Sequence, residues 1–476
     1  MPRQSFQLPA GVPRPIRAGF ADLIHQQRVT TGFDSAVLVE AEHRAAQVHP
    51  VERDRTDLPF QTLDPTGSRD LDQAFFCQRR PGGYTLWYAI ADVASFVEPG
   101  RLVDREAHRR GQTIYAPTAR FPLHPTSLSE GAASLLADGH ARPAAVWQID
   151  LDEAGAVTAG RVERALVRNR CQLNYTDCQA QFDQATDTVD EQLVLLREIG
   201  QLRQAQEVAR GGISLNLPDQ EIDVVDGHWH LAYRAVAPIE GWNAQLSLVT
   251  GSVAADMMLA GGIGVVRTLP VAQPEAIARL QLIAHSLGLA WPDDQDYPGF
   301  VRSLDPSRPS DLAMMTACTT LFRGAGYLAF TEPPEKPTLH GALAMNYAHV
   351  TAPLRRLVDR YATEACLALS ADQAVPDWAT AALAGLPAVM AQSDRRANAF
   401  ERGVVSLLEA LILSSHEGEI LPATVVSVSQ AGGRVQVADP AVELEITAPD
   451  LPLGQVVDIR IVQANLTTGQ VAIELA

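Results

Sequence analysis

The sequence predicts an α+β protein: a mixed α/β body, a small C-terminal β-barrel of the OB type, and a small helical module at the N-terminus. Three observations predict it. Between residues 57 and 168, extended segments alternate with turn residues as hairpins do. From 191 to 416, apolar residues recur mostly at helical spacing. After residue 418, five short strand candidates follow one another within ~58 residues, a size and strand number that suit an OB barrel.

In order along the chain, residues 1–50 predict two helices, at 15–27 and 34–46. Gly32 breaks the chain between them and Asp34 is placed to cap the second. The pair reads either as a helix-turn-helix-like module or as a helical arm on the main body. Residues 51–416 predict the mixed α/β body. Its first hairpin joins 73–78 to 84–91 through Arg79-Arg80-Pro81-Gly82-Gly83, and a second joins 145–151 to 157–168. A helix over 191–210 stops at Gly211-Gly212, after which Ile213, Leu215 and Leu217 alternate as a strand. Further helices are predicted near 243–262, 274–288, 308–325, 353–371, 377–392 and 394–416. Residues 417–476 predict strands at 421–429, 434–437, 443–447, 456–463 and 470–474.

Composition narrows the function. The formal charge of −18 argues against a protein that coats nucleic acid through overall charge. A locally basic channel remains compatible with it, because screening confines each charge to about a Debye length. Lys336 is the only lysine, and arginine's planar fork suits phosphate. The five cysteines have no zinc-site spacing and are expected to be reduced thiols. The start Met1-Pro2-Arg3-Gln4 lacks the apolar run of a secretory signal, and the richest apolar stretch, 253–266, is too short to span a membrane. A cytoplasmic protein without a membrane segment is expected.

The stretch richest in chemistry is Leu63-Asp64-Pro65-Thr66-Gly67-Ser68-Arg69-Asp70-Leu71-Asp72-Gln73-Ala74. In an extended chain Asp70 and Asp72 point to one face, and the Pro-Thr-Gly-Ser bend can return Asp64 toward them. Converging carboxylates repel unless a cation or an arginine sits among them. Mg2+ prefers such hard oxygen ligands. By composition alone the stretch reads more readily as a solvated acidic turn.

This run resembles the acidic motif of the ribonuclease II family, and further blocks follow in that family's order. Ala89–Val97 is similar to the next strand; Asp104-Arg105-Glu106-Ala107 and Arg110-Gly111-Gln112-Thr113-Ile114-Tyr115 resemble the block after it. Then come Pro122-Leu123-His124-Pro125, Leu128-Ser129 and Ser134-Leu135. Tyr347-Ala348-His349-Val350-Thr351-Ala352-Pro353-Leu354-Arg355-Arg356 looks like the family's Ser-Pro-Ile-Arg-Arg signature, and Glu401-Arg402 like its last helical motif. The resemblance covers roughly residues 55–476 and includes an S1-type, RNA-binding tail.

The resemblance implies an RNB catalytic domain acting as a 3′→5′ exoribonuclease that releases 5′-mononucleotides from single-stranded RNA, with Mg2+ or Mn2+ and no organic cofactor. Asp64, Asp70 and Asp72 would be catalytic and metal-binding. The fourth position, aspartate in the family, is Gln73, whose amide oxygen can still ligate. Arg355 would contact the scissile phosphate, with Pro353 opening a helix whose amides face it. Glu401 would position a reacting group or pair with an arginine. Tyr115 would stack on the 3′-terminal base, and Tyr347 and His349 would line the channel or pack beside Arg355. Arg109, Arg110, Arg142, Arg356 and Arg395 are candidate channel cations. A second aromatic wall should align near Arg267-Thr268-Leu269-Pro270, where only the aliphatic Leu269 stands. Relatives commonly carry two cold-shock barrels ahead of the catalytic domain, and the ~50 residues here are too few for two. A single-chain channel implies a monomer. Two other readings stay open: an RNA-binding regulator that lost chemistry through Gln73, and an assembly protein whose acidic loop is merely solvated.

Overall fold

The computed structural model describes residues 14–47, 49, 51–115, 120–184, 189–215, 219–225, 228–234, 236–336, 338–429 and 431–476. The expectation at residues 1–4 and the strand partner Leu217 lie outside them.

A seven-stranded mixed sheet forms the body's centre. Its order is Arg53–Asp54, Val157–Val167, Arg142–Asp152, Gly83–Ala91, Gln73–Arg80, Gln61–Asp64 and Cys171–Asn174. The four long strands pair antiparallel through the two predicted hairpins, and the short outer strands pair parallel. Both faces are covered, so the central strands are apolar on both sides: Phe75, Leu86, Tyr88, Ile90, Trp147 and Ile149 lie in one apolar cluster, Ala74, Ala89 and Val146 in another. The helix Pro238–Gly261 crosses the first of these faces.

Several boundaries differ from the sequence reading, each for a local reason. The helix expected from 353 begins at Leu357, because Ala352–Arg356 forms a turn held by Asp359, whose carboxylate accepts from the Ala352 amide at 2.7 Å. The helices read at 377–392 and 394–416 are Asp377–Leu383 and one long Leu386–Leu413, broken at Ala384-Gly385. The helix at 308–325 ends at Cys318, and Gly326–Phe330 pairs antiparallel with Gly264–Thr268, so the apolar run 253–266 is a helix end plus a strand. Ile213 and Leu215 are not in a strand; Ile213 instead packs with Leu280, Phe300 and Met314.

The C-terminal strands Ile420–Ser429, Gly432–Val437, Val442–Ile446, Val456–Ala464 and Val471–Leu475 form one antiparallel sheet, with the order Val442–Ile446, Gly432–Val437, Ile420–Ser429, Val456–Ala464, Val471–Leu475. It curls so that its edge strands approach each other, as in an OB fold.

The two N-terminal helices do not form a unit of their own. Arg14–Gln26 packs Ile16 and Phe20 into the apolar cluster of the long helix and the barrel. Ser35–Ala45 packs Val37 and Ala41 onto the body. Asp34 stands at the cap position, yet its side chain makes no capping bond. Among the described residues, no helix is long and apolar enough to cross a membrane. All five cysteines are thiols, and only Cys171 is exposed.

Candidate active site

The acidic run folds as a strand end, a tight turn and a return into the next strand. Asp64 ends Gln61–Asp64, and Gln73 begins Gln73–Arg80. Between them the Ser68 amide donates to the Pro65 carbonyl at 3.2 Å, and Gly67 at φ 80° takes the turn position that needs positive φ. Ser134 fixes the returning chain: its hydroxyl donates to the Arg69 carbonyl at 2.6 Å and accepts from the Leu71 amide at 2.9 Å. Gln61 faces Phe75 in the antiparallel register of these two strands, and Asp64 lies beside Asn174 in the parallel register on the other side.

Each of the four predicted ligands has a different environment. Asp72, 2% exposed, accepts from the Leu354 amide at 2.7 Å through Oδ1, while Arg355 Nε lies 3.2 Å from Oδ2. This joins the first predicted motif to one 282 residues away. Asp64 is also buried. Asp70 is held from the other side: Arg120 Nη1 is 2.7 Å from Oδ1, and the Tyr115 hydroxyl donates to Oδ2 at 2.9 Å. Arg120 also reaches Glu130 at 2.8 Å. Gln73 turns to the opposite face. Its Oε1 accepts from the Tyr88 hydroxyl and, at 2.8 Å, from Ser247 of the Pro238–Gly261 helix. Burial raises the Tyr88 phenol well above its ordinary pKa, so it stays a donor.

Among the described residues, no group of three acidic, histidine or cysteine side chains is placed to hold a metal ion. Asp70 is committed to a cation and a phenol, and Gln73 to two hydroxyls. The remaining pair, Asp64 and Asp72, has the donor chemistry that suits Mg2+, which is commonly bound by one or two carboxylates and completed by water and substrate phosphate.

Arg355 is largely buried beside Asp72. The turn carrying it is fixed on both sides, since its carbonyl accepts from the Thr113 amide at 2.9 Å and the Leu357 amide donates to the Gly111 carbonyl at 3.0 Å. Because the helix starts at Leu357, Pro353 does not aim helical amides at this point. Tyr115, half-buried, projects from the short hairpin Ile114–Tyr115 and Arg120–Phe121.

Tyr347 and His349 belong to a polar and aromatic knot. Their rings meet edge to face at 5.5 Å, and Tyr327 OH lies 2.6 Å from His349 Nδ1. Arg267 stacks over Tyr327 at 4.5 Å. Burial, reinforced by Arg356 and Arg267, holds His349 well below its usual pKa, so the imidazole is neutral.

Other expectations need correction. Arg110 is 4% exposed, ion-paired to Glu106 at 2.6 Å, bonded to the Thr30 and Gly32 carbonyls and stacked on Phe33. It fastens the N-terminal turn to the body and is not open to a channel. Arg356 makes a bidentate pair with Asp359 at 2.8 Å. Arg142 pairs with Asp138 at 2.6 Å, and Arg109 with Glu106 at 2.7 Å. Arg395 is exposed. Leu269 is 2% exposed and forms no open wall. Glu401 is half-buried on the long helix, and burial raises its pKa. It follows Phe400, which packs edge to face on Phe121 of the Tyr115 hairpin at 5.8 Å.

Sequence reasoning missed Arg120, Tyr88 and Ser247. Arg120 had a usable signal, since an acidic cluster needs a cation nearby; Tyr88 and Ser247 read as ordinary core and helix residues.

A family model for the RNB domain matches residues 52–368, and one for the RNase II-type exonuclease C-terminal S1 domain matches 419–476. The chain belongs to the RNB family. This RNB protein is 25% identical over 420 residues to Ribonuclease R of Escherichia coli strain K12, an alignment covering 81% of this chain and 50% of that one. It thus spans about half the length of that relative. Its fold superposes on Mycoplasma genitalium RNase R in complex with ribose methylated single-stranded RNA with a TM-score of 0.86 at 18% identity, covering 97% and 78% of the two chains. It also superposes on yeast Ssd1, a pseudonuclease, with a TM-score of 0.65 at 15% identity, covering 86% and 53%. At these identities the likeness is one of fold.

Proposed function

We propose that this RNB protein is a hydrolytic exoribonuclease that shortens single-stranded RNA from its 3′ end to 5′-mononucleotides, using Mg2+ or Mn2+ held by Asp64 and Asp72. The observation that carries the reading is the junction of Asp72 with Leu354 and Arg355. It puts a buried carboxylate and a fixed guanidinium side by side where the acidic motif meets the arginine motif. When bound, the cation supplies Lewis acidity, polarising the phosphate and making water a better nucleophile near neutral pH.

The chain's own residues supply the rest. Asp72 orients Arg355, whose remaining donors bind the scissile phosphate and stabilise its growing negative charge. Arg120 and the Tyr115 hydroxyl hold Asp70, so that the Tyr115 ring stands at a fixed angle for the terminal base. Tyr347 and His349 support the Arg355 turn as neutral, packed groups. Glu401 positions a reacting group from the long helix. Arg110 and Arg356 have structural roles. The setting proposed is the cytoplasm, with a monomer as the working assembly and no organic cofactor.

A second reading, an RNA-binding regulator without turnover, is favoured by one feature: the Gln73 oxygen is occupied by two hydroxyls where the family has an aspartate. One assay separates the two. Single-stranded RNA labelled at either end is incubated with the protein in Mg2+ or in chelator. Metal-dependent shortening from the 3′ end supports hydrolysis; binding without shortening supports the regulator.

A further inference from the structure

The S1-type barrel has an unusual surface for a module expected to hold RNA. Single-stranded nucleic acid is held by aromatic rings that stack on bases and by a basic groove along the phosphates. Residues 419–476 contain no Phe, Tyr, Trp, His or Lys, and seven acidic residues stand against two arginines. Both arginines lie beside carboxylates of the barrel itself, which offset their charge. Arg434 pairs with Glu443, and Arg460 Nε lies 3.5 Å from Glu474, its direct cross-strand partner. The barrel thus offers neither stacking surface nor an excess of positive charge.

What it does offer is a packed seam. Val425 and Ile461 of the barrel, Ile16 and Phe20 of the Arg14–Gln26 helix, and Phe400 and Leu408 of the long helix share one apolar cluster. Ile114 and Phe121 of the hairpin carrying Tyr115 and Arg120 belong to it as well. Close approach marks the joint. A Cβ on Gly469 would lie 2.9 Å from the Leu407 backbone nitrogen, and one on Gly19 would lie 2.7 Å from the Leu407 side chain and 3.1 Å from the Thr467 carbonyl. The Glu409 carboxylate also accepts from the Glu443 amide at 3.0 Å, bonding the long helix to a barrel strand.

We infer that the barrel takes no RNA and acts as a buttress: with the N-terminal helix and the long helix, it backs the hairpin whose Tyr115 and Arg120 hold Asp70. This rests on the RNA-degrading reading above. The barrel side of the seam meets the Leu407 region of the long helix, and the hairpin meets Phe400 two turns earlier, so the helix transmits the support.

Photocrosslinking of the full chain to single-stranded RNA carrying 4-thiouridine, with adducts mapped by mass spectrometry, tests the first half. Adducts within 52–368 and none within 419–476 are expected. The double variant Arg434→Ala/Arg460→Ala should bind RNA within about 2-fold of the parent, with an unchanged salt dependence, whereas removing an arginine that binds phosphate would flatten the logarithmic salt slope by ~0.7. Adducts in the barrel, or a flatter slope in the double variant, overturn the inference. No adducts anywhere, with no RNA retained, removes the RNA reading itself and this inference with it. The buttress half is read by hydrogen exchange in Gly469→Val. Faster exchange at 114–115 and 120–121 with a barrel that stays protected supports it, and unchanged exchange there overturns it. If the variant does not fold, Phe400→Leu gives the same readout from the hairpin side.

Discussion

The Asp72 carboxylate bridges the Leu354 amide at 2.7 Å and the Arg355 guanidinium at 3.2 Å. One buried acid therefore sets both the backbone of the arginine turn and the direction of its side chain. A charge this deeply buried is costly without partners, and these two compensate it.

Arg355→Lys keeps the charge and loses the fork. A lysine cannot hold Asp72 and a phosphate at once with planar geometry. Turnover is expected to fall by about 100-fold, the loss typical of one transition-state donor, with a smaller change in RNA affinity. Single-turnover kinetics beside a binding titration reads the two separately, and a variant as fast as the parent would remove Arg355 from the chemistry.

Tyr115 has two separable parts. Tyr115→Phe removes the bond to Asp70 and keeps the ring; Tyr115→Ala removes both. If the ring stacks on a base, the alanine variant loses ~1–3 kcal/mol of RNA binding and the phenylalanine variant little of it. Equal losses in the two variants would assign the effect to the hydroxyl instead.

The Gln73 triangle predicts a stability order. Tyr88→Phe leaves the Gln73 oxygen one donor, from Ser247, and should cost about 1 kcal/mol. Gln73→Leu strips the acceptor from the buried Tyr88 hydroxyl and the half-buried Ser247 hydroxyl and should cost more, roughly 1–3 kcal/mol. Urea unfolding measures both, and the reverse order would show that Gln73 is not the hub. Because the position 73 side chain faces away from Asp72, Gln73→Asp should leave the Mg2+ concentration for half-maximal turnover within about 2-fold, where a ligand gained would lower it much further.

Much of this was legible from the residues. The hairpins, the five barrel strands and the Asp64 turn follow from alternation, glycine placement and the Pro-Thr-Gly-Ser sequence. Directions were less legible. Gln73 sits one residue from Asp72, and strand alternation sends it to the other face, toward a helix that only the tertiary fold supplies. Arg110 and Arg356 looked like channel cations because sequence shows charge and not partners; Glu106 and Asp359, four and three residues away along the chain, neutralise them. The helix after Arg356 starts later than the sequence predicts because Pro353 is also a good turn residue, and Asp359 holds that turn.

Acid should destabilise the fold through its neutral histidines. Burial pushes His124 down to about 3 and holds His349 well below its usual value. The unfolded chain takes up these protons near pH ~6.5 and the folded chain does not, so stability is full above that pH and is lost as pH falls below it. Each such histidine costs about 1.4 kcal/mol per pH unit in that range. Urea midpoints at about pH 8 and about pH 5.5 should differ accordingly, and His124→Gln, if it folds, should shrink the difference. A flat profile would contradict a neutral, buried His124.

The most direct test is Asp72→Asn, which keeps the shape and the acceptor for the Leu354 amide but removes the charge. Assayed on 5′-labelled single-stranded RNA in Mg2+, it should lose at least ~100-fold in turnover while RNA affinity stays within about 3-fold. A variant that shortens RNA at the parent's rate would contradict the account, because the chemistry would then lie elsewhere.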